Sequence, residues 1–293
     1  MQLSRGKQVS TSAGLSLEPL AISSLYFDHH EIDPGNRMSN LTEQAANLAE
    51  YFGVRSRHYY HASTPSTYDP ANPLRYYVDE SQRAAYNLMD PSGVPLYVDA
   101  GPTVYLPVFL CFCGLGHLSI FQRERQEQSL AHFLRIADWL AENQNRDGLW
   151  LNPLPHRKFG LPKRFPSAMI QGLAISCLTR AYLVTAHSRY LESAVAALPA
   201  FRIDIAGGGV ASHDDGSLFF EEYPTTACPH VLNGFLYAMW GLWDLVRMQN
   251  DNAHDLYRQG YRTFAKWLPR YDMGYWSRYH LSNGPDNPAT LHY

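Results

Sequence analysis

The stretch QEQSLAHFLRIADWLAEN, residues 126–143, decides the fold class. Leu130, Phe133, Leu134, Ala137, Leu140 and Ala141 follow the i, i+3, i+4, i+7 spacing of one buried helical face. Asn145-Arg146-Asp147-Gly148 then ends the helix. Working outward, the pattern is helical from about Leu106 onward, and further helices are predicted at about 167–186, 188–200, 231–248 and 252–268. Gly207-Gly208-Gly209 and His213-Asp214-Asp215-Gly216 read as turns. Successive helices on short loops pack as antiparallel pairs. The expected architecture is mainly α, an α/α toroid-like incomplete barrel of antiparallel helix pairs, with a small β-containing N-terminal region.

Three segments follow from this reading. Residues 1–70 form a poorly legible N-terminal region, with one predicted helix over Met38–Phe52 and a linker-like run over Ser63–Pro70. Residues 71–104 carry short strand-like pieces, Arg75–Val78 and Val94–Val98, with Asp90-Pro91-Ser92-Gly93 as the turn between them. Residues 105–293 form the helical domain that would carry the chemistry.

Composition narrows the function. An apolar fraction of 45% in 293 residues is enough for a full core. A net charge of -3, with no long basic run, argues against nucleic acid as a partner. A local cluster of cations in a cleft would still suffice for an anionic sugar. The run Val104–Cys113 is too short to span a bilayer and contains Pro107, and the N-terminus reads as lacking a secretory leader. Cys111, Cys113, Cys177 and Cys228 lack the spacing of a metal site and read as free thiols in a reducing compartment, and the leaderless reading of the N-terminus points to the cytoplasm. Gly114-Leu115-Gly116 lacks the third glycine of a dinucleotide fingerprint, because Ser119 stands there. His29-His30, flanked by Asp28 and Glu31, reads as a polar loop rather than a metal site.

Two longer motifs remain. One is Phe220-Glu221-Glu222-Tyr223-Pro224-Thr225-Thr226, then Val231-Leu232-Asn233-Gly234-Phe235, then Gly241-Leu242-Trp243-Asp244-Leu245. The other is Ser167-Ala168-Met169-Ile170-Gln171-Gly172, continuing to Ile175-Ser176. In this order and spacing they resemble the D-glucuronyl C5-epimerase family over roughly residues 74–293. The resemblance implies inversion of C5 of glucuronate within a heparosan-like or other uronate polysaccharide, on a mostly helical domain preceded by β-structure. It implies no nucleotide or redox cofactor, and no residue is assigned as a metal ligand. The implied partner is an anionic uronate-containing polysaccharide, without nucleic acid or a membrane span, and a homodimer is the assembly to test.

C5 of glucuronate adjoins a carboxylate, so its hydrogen is only weakly acidic. Inversion needs a base on one face, a proton donor on the other, and cations or hydrogen-bond donors for the enolate-like intermediate. Free Tyr titrates near ~10 and free Glu near ~4.3, so a site using both must draw them together. The family pattern puts its Glu at Glu222 and its tyrosines at Tyr223, Tyr279 and Tyr293. The resemblance thus implies Glu222 and Tyr293 as opposed proton carriers, with Tyr223 and Tyr279 supporting or sharing that role. Lys163, Arg164 and Arg278 are the candidate cations, and Gln171 and Asn233 the candidate hydrogen-bonding groups for the sugar. Plainer readings stand beside these. Glu222 could cap the helix starting near Val231, Tyr223 and Tyr279 could be core tyrosines, the three cations could be solvated, and Glu221 reads as a solvated neighbour.

The sequence departs from the family in two places. The family's Y-D-L-R-H segment reads Tyr279-His280-Leu281-Ser282-Asn283, without its basic residues, and family members continue past the third tyrosine whereas this chain ends at Tyr293. A uronate lyase, sharing the first proton abstraction, and an inactive polysaccharide-binding relative are the alternative functions. A glycosidase would need a second carboxylate in a matching motif.

Overall fold

A computed structural model of the protein describes residues 64–65, 69, 71–85, 88–98, 102–282 and 287–289. All belong to a unit spanning Arg57–Tyr293. The predicted helix at Met38–Phe52, the His29-His30 segment and Tyr293 lie outside the described residues.

The described chain is mainly helical. Six α-helices run α1 (Pro107–Glu124), α2 (Glu127–Glu142), α3 (Ala168–Thr185), α4 (Ser188–Ala196), α5 (Leu232–Arg247) and α6 (Asp251–Tyr271). Each helix predicted within the described residues is present with ends within a few residues, except that 188–200 stops at Ala196 and finishes as a 3-10 turn over Leu198–Phe201. That break follows from Pro199, which has no amide hydrogen to continue the ladder. The helices are joined in sequential hairpins by Arg125-Gln126, His187 with Ala186, and Met248 to Asn250. At each joint a residue other than glycine turns the chain through the left-handed region: Arg125 (φ 57°), Ala186 (φ 58°) and Gln249 (φ 60°). The Asn250 side chain then caps α6 by accepting from Ala253 N–H at 3.0 Å.

The predicted face of α2 is the buried one. Phe133, Ile136, Ala137 and Leu140 are sealed, and Leu130, Leu134 and Ala141 pack partly buried against them. Helix α3 is the core element, with every residue from Ala168 to Ala181 buried. It is long and apolar enough to cross a bilayer, but those residues are buried within this fold. It meets α5 at two glycines: a Cβ on Gly172 would lie 2.3 Å from Tyr237 O, and one on Gly241 would lie 2.4 Å from Gly172 O. The backbones touch there, which no larger residue permits.

The segment before α1 is fastened by charge. Arg180 of α3 pairs with Asp244 of α5 at 2.5 Å, and its remaining donors reach the carbonyls of Leu74 (3.1 Å) and Arg75 (3.2 Å). Tyr77 donates to the same aspartate at 2.8 Å. Burial works against the charge of Arg180, but Asp244 outweighs it and holds the guanidinium firmly protonated.

Two expectations for the β-region change. Thr64–Pro65 (β1), inside the run read as a linker, pairs antiparallel with Val78–Asp79 (β2). The Asp90–Gly93 turn forms, with Gly93 at φ 84°, but it brings Met89 against Pro95 rather than joining Arg75–Val78 to Val94–Val98. Tyr97 pairs instead with Val104. Strands this short carry too little periodicity to specify partners. A second hairpin, Ala211–Asp214 (β3) with Ser217–Phe220 (β4), surrounds the predicted turn at Asp215-Gly216, whose residues sit at φ 49° and 68°.

Candidate acid–base site

The site grows from the end of β4. Glu221 N–H donates to Val210 O at 2.8 Å, and Ala168 N–H at the start of α3 donates to Glu221 O at 2.9 Å. These bonds hold the Glu221-Glu222 pair between the hairpin and the first turn of α3.

The two carboxylates have different surroundings. Glu221 is fully buried, not solvated as expected from sequence. It accepts from Ser212 Oγ at 2.8 Å and His230 N–H at 3.0 Å, and His230 Nδ1 stands 2.6 Å from it. His230 itself packs edge-on to Phe219 and Trp267. Glu221 is thus a structural anchor: a buried carboxylate with enough donors to stay in place.

Glu222 is also buried, but its Oε2 has no well-formed hydrogen bond among the described residues. It lies against the first turn of α5, where a Cβ on Gly234 would meet Oε2 at 2.4 Å. Burial raises its pKa; the Tyr223 side chain and Gly234 N–H pull it down, the Glu221 charge adds to the rise, and the result is about 7. A carboxyl poised there can give or take a proton near neutrality. Through the Gly234 N–H it also caps the first turn of α5, from an enclosed position.

An aromatic wall continues from Tyr223. Its ring stacks on Phe159 at 4.5 Å and lies 4.3 Å from His156. Both come from a turn closed by pairing of His156 with Leu161, with Gly160 at φ 64°. The same turn carries Lys158, whose ammonium sits 5.8 Å from the Phe159 ring centre and 6.0 Å from that of Tyr279. His280 meets Phe159 edge-on at 5.7 Å. Burial and the Lys158 charge hold His280 down to about 4.

The predicted site residues divide. Tyr279 is brought to α5 by a hydrogen bond from Leu232 N–H to its carbonyl at 3.1 Å, so Glu222, Tyr223 and Tyr279 converge on one helix end. Asn233 is in the same first turn, and both polar atoms of its amide are enclosed without a partner among the described residues. An enclosed unpaired amide costs about 1–3 kcal/mol, so it suits a group held for a ligand. Arg278 is half-buried beside Tyr279, its N–H bonded to Tyr271 O at 2.7 Å. Lys163 and Arg164 are exposed on the loop between the His156 turn and α3. Gln171 is corrected: it is fully buried, accepting from Trp150 N–H at 3.3 Å and donating to Trp150 O at 2.9 Å and Ser167 O at 3.4 Å. Its amide is engaged with the backbone inside the core, away from any sugar.

Sequence reasoning missed His156, Lys158, Phe159 and His230, and met His280 only as part of the segment that departs from the family pattern. No local signal marked the other four. Among the described residues no group of three or more His, Cys, Asp or Glu side chains could hold a metal ion.

A carboxyl with a raised pKa, the tyrosine beside it and a lysine on an aromatic wall come together on a helical scaffold, an arrangement able to exchange a proton. Residues 154–293, just under half of the chain, match the family profile described as D-glucuronyl C5-epimerase C-terminus. The chain is 40% identical over 185 residues to the D-glucuronyl C5-epimerase of Caenorhabditis elegans, a match covering 57% of this chain and 30% of that one. It is 32% identical over 126 residues to an uncharacterised protein of Methanocaldococcus jannaschii, covering 41% of each. The chain thus spans well under half the length of either relative. Among solved structures, a GH76 alpha-mannanase of Bacteroides thetaiotaomicron is similar at 15% identity and a TM-score of 0.45, over 67% of this chain and 51% of that one.

Proposed function

We propose that the protein inverts C5 of D-glucuronate residues, giving L-iduronate, in a heparosan-like or other uronate polysaccharide. The observation that carries this reading is Glu222: a buried carboxyl with a pKa of about 7, beside Tyr223 and within the family's motif. Glu222 takes or returns the C5 proton on one face, and a tyrosine serves the other. Tyr293 holds that role by the family match, and Tyr279 is the candidate among the described residues. The hydrogen leaves and returns as a proton, so no electron acceptor is required.

Charge builds on the sugar carboxylate as the proton leaves, and cations and hydrogen-bond donors must offset it. Lys158, 6.0 Å from the Tyr279 ring centre, would supply part of this, with Arg278 and the Asn233 amide as the further candidates. Lys163 and Arg164 extend the positive edge along the path of an anionic chain. We read the scaffold as part of an α/α toroid. The sequential hairpins α1–α2, α3–α4 and α5–α6, with α3 packed on both α1 and α5, support that reading.

The test is proton NMR of heparosan incubated with the protein in D2O. Deuterium at C5 together with iduronate signals supports epimerisation. Unsaturated chain ends would instead mean elimination, and an unchanged polymer would refute turnover on this substrate.

A further inference from the structure

His280 stands where the family pattern has an aspartate, and its hydrogen bonds determine which ring nitrogen carries the proton. The backbone N–H of His280 donates to Asn287 Oδ1 at 3.0 Å, which fixes the orientation of that amide. Asn287 Nδ2 is therefore the atom facing His280 Nδ1, at 3.2 Å. An amide nitrogen can only donate, so Nδ1 must accept. Ser282 Oγ also lies against Nδ1, at 2.6 Å, and can donate to it. With Nδ1 occupied as an acceptor, a neutral ring carries its hydrogen on Nε2. Nε2 has no partner among the described residues. The ring is half-buried, edge-on to Phe159 and 5.8 Å from Tyr279, on the wall that leads to Glu222.

We propose that His280 contacts the substrate, presenting Nε2–H from a fixed neutral tautomer to the carboxylate of the uronate, and that Asn287 is its positioning residue. The inference rests on the epimerase reading of this site. A neutral donor suits the task, because it stabilises charge growing on the carboxylate without handing over a proton that would compete with the Glu222 and tyrosine relay. Lys158, beside the same rings, supplies the full positive charge and disfavours a second one on the imidazole. The basic residues missing from the family's Y-D-L-R-H segment are thereby answered from two elements, the 156–161 turn and the 279–282 segment.

The experiment is long-range nitrogen–proton NMR of the full chain at pH 7, with the His280 signals assigned by comparison with His280→Gln, before and after adding heparosan oligosaccharide. The expected result is the Nε2–H tautomer, whose signal moves on sugar binding. His280→Ala should slow C5 exchange about a hundredfold with Tm unchanged, His280→Gln should recover part of the rate, and Asn287→Asp should switch the tautomer to Nδ1–H and lower kcat more than it raises KM. A wild-type Nδ1–H tautomer overturns the proposal. So does a His280 signal that stays still while the sugar binds and C5 exchanges, and that outcome leaves the epimerase reading intact. Absence of both binding and exchange overturns the two together.

Discussion

Glu222 and Gly234 share a space with no room for another atom: a Cβ at position 234 would lie 2.4 Å from both Cβ and Oε2 of Glu222. Glycine inside a helix ordinarily costs about 1 kcal/mol relative to alanine, so its place in the first turn of α5 needs a reason. The reason is the close approach of a buried carboxylate to a helix start, where the Gly234 N–H can act on it. Gly234→Ala should displace Glu222 and reduce C5 exchange by about a hundredfold or more, while circular dichroism stays native. Wild-type rates in this variant would show that the carboxylate position does not matter.

Glu222→Gln should abolish exchange and raise stability. The sign follows from the raised pKa. Between the ordinary carboxylate range and about 7 the folded protein holds a proton that the unfolded chain releases. The wild type therefore loses stability as pH rises through that window, and the glutamine variant does not. The Tm advantage of Glu222→Gln should be small near pH 4 and grow to its full value above pH ~7. A constant difference across pH would contradict the shift.

The histidine pair between α1 and α2 gives the opposite slope. His117 and His132 stack at 4.7 Å, and both ring nitrogens of His117 are enclosed without a partner among the described residues. Burial, then His132, lowers His117 from 6.5 to about 4. Arg135, close to the His132 ring, adds to the positive field there. Stability from a neutral buried His117 is complete above pH ~6.5 and is lost as pH falls toward 4, a contribution on the order of 3 kcal/mol. His117→Phe should flatten the acid limb of a Tm-against-pH curve, and an unchanged limb would assign it to other groups.

At the α3–α5 crossing, Gly172→Ala would force a Cβ to within 2.5 Å of Ala238 Cα as well as onto Tyr237 O. The obstacle is backbone, which cannot swing aside. A loss of about 3 kcal/mol or more is expected in urea unfolding, and a neutral result would mean that the helices do not cross there.

Removing Asp244 leaves Arg180 as a buried unpaired charge. Asp244→Ala should cost about 3–5 kcal/mol, and pairing it with Arg180→Met should recover a large part of that. Additive losses in the double variant would contradict a direct pair.

Much of the fold was legible because its signal is periodic. The α2 face from Leu130 to Ala141 and the buried run of α3 repeat often enough to outweigh local noise. The β-pieces do not. Thr64–Pro65 and Val78–Asp79 are two residues each, too short for a pattern to specify their pairing. The left-handed joints at Arg125, Ala186 and Gln249 were invisible for another reason: the residues that mark such positions, glycine and asparagine, are absent.

In the site, motif order singled out Glu222, Tyr223 and Tyr279, but motif membership could not separate chemistry from support. Gln171 belongs to the motif and is a backbone clamp. Glu221, adjacent to Glu222, is an anchor because Ser212 and His230 reach it from across the hairpin. Lys158 and His280 lie 122 positions apart and meet only through folding.

The most direct test of the account is the fate of the C5 hydrogen. Wild type and Glu222→Gln should be incubated in D2O with heparosan and followed by NMR. The account predicts deuterium at C5 and iduronate with the wild type, and neither with Glu222→Gln, although the variant still binds the polymer. Equal C5 exchange by the two proteins would contradict it, since the proton would then be moving without the carboxylate on which the whole site is built.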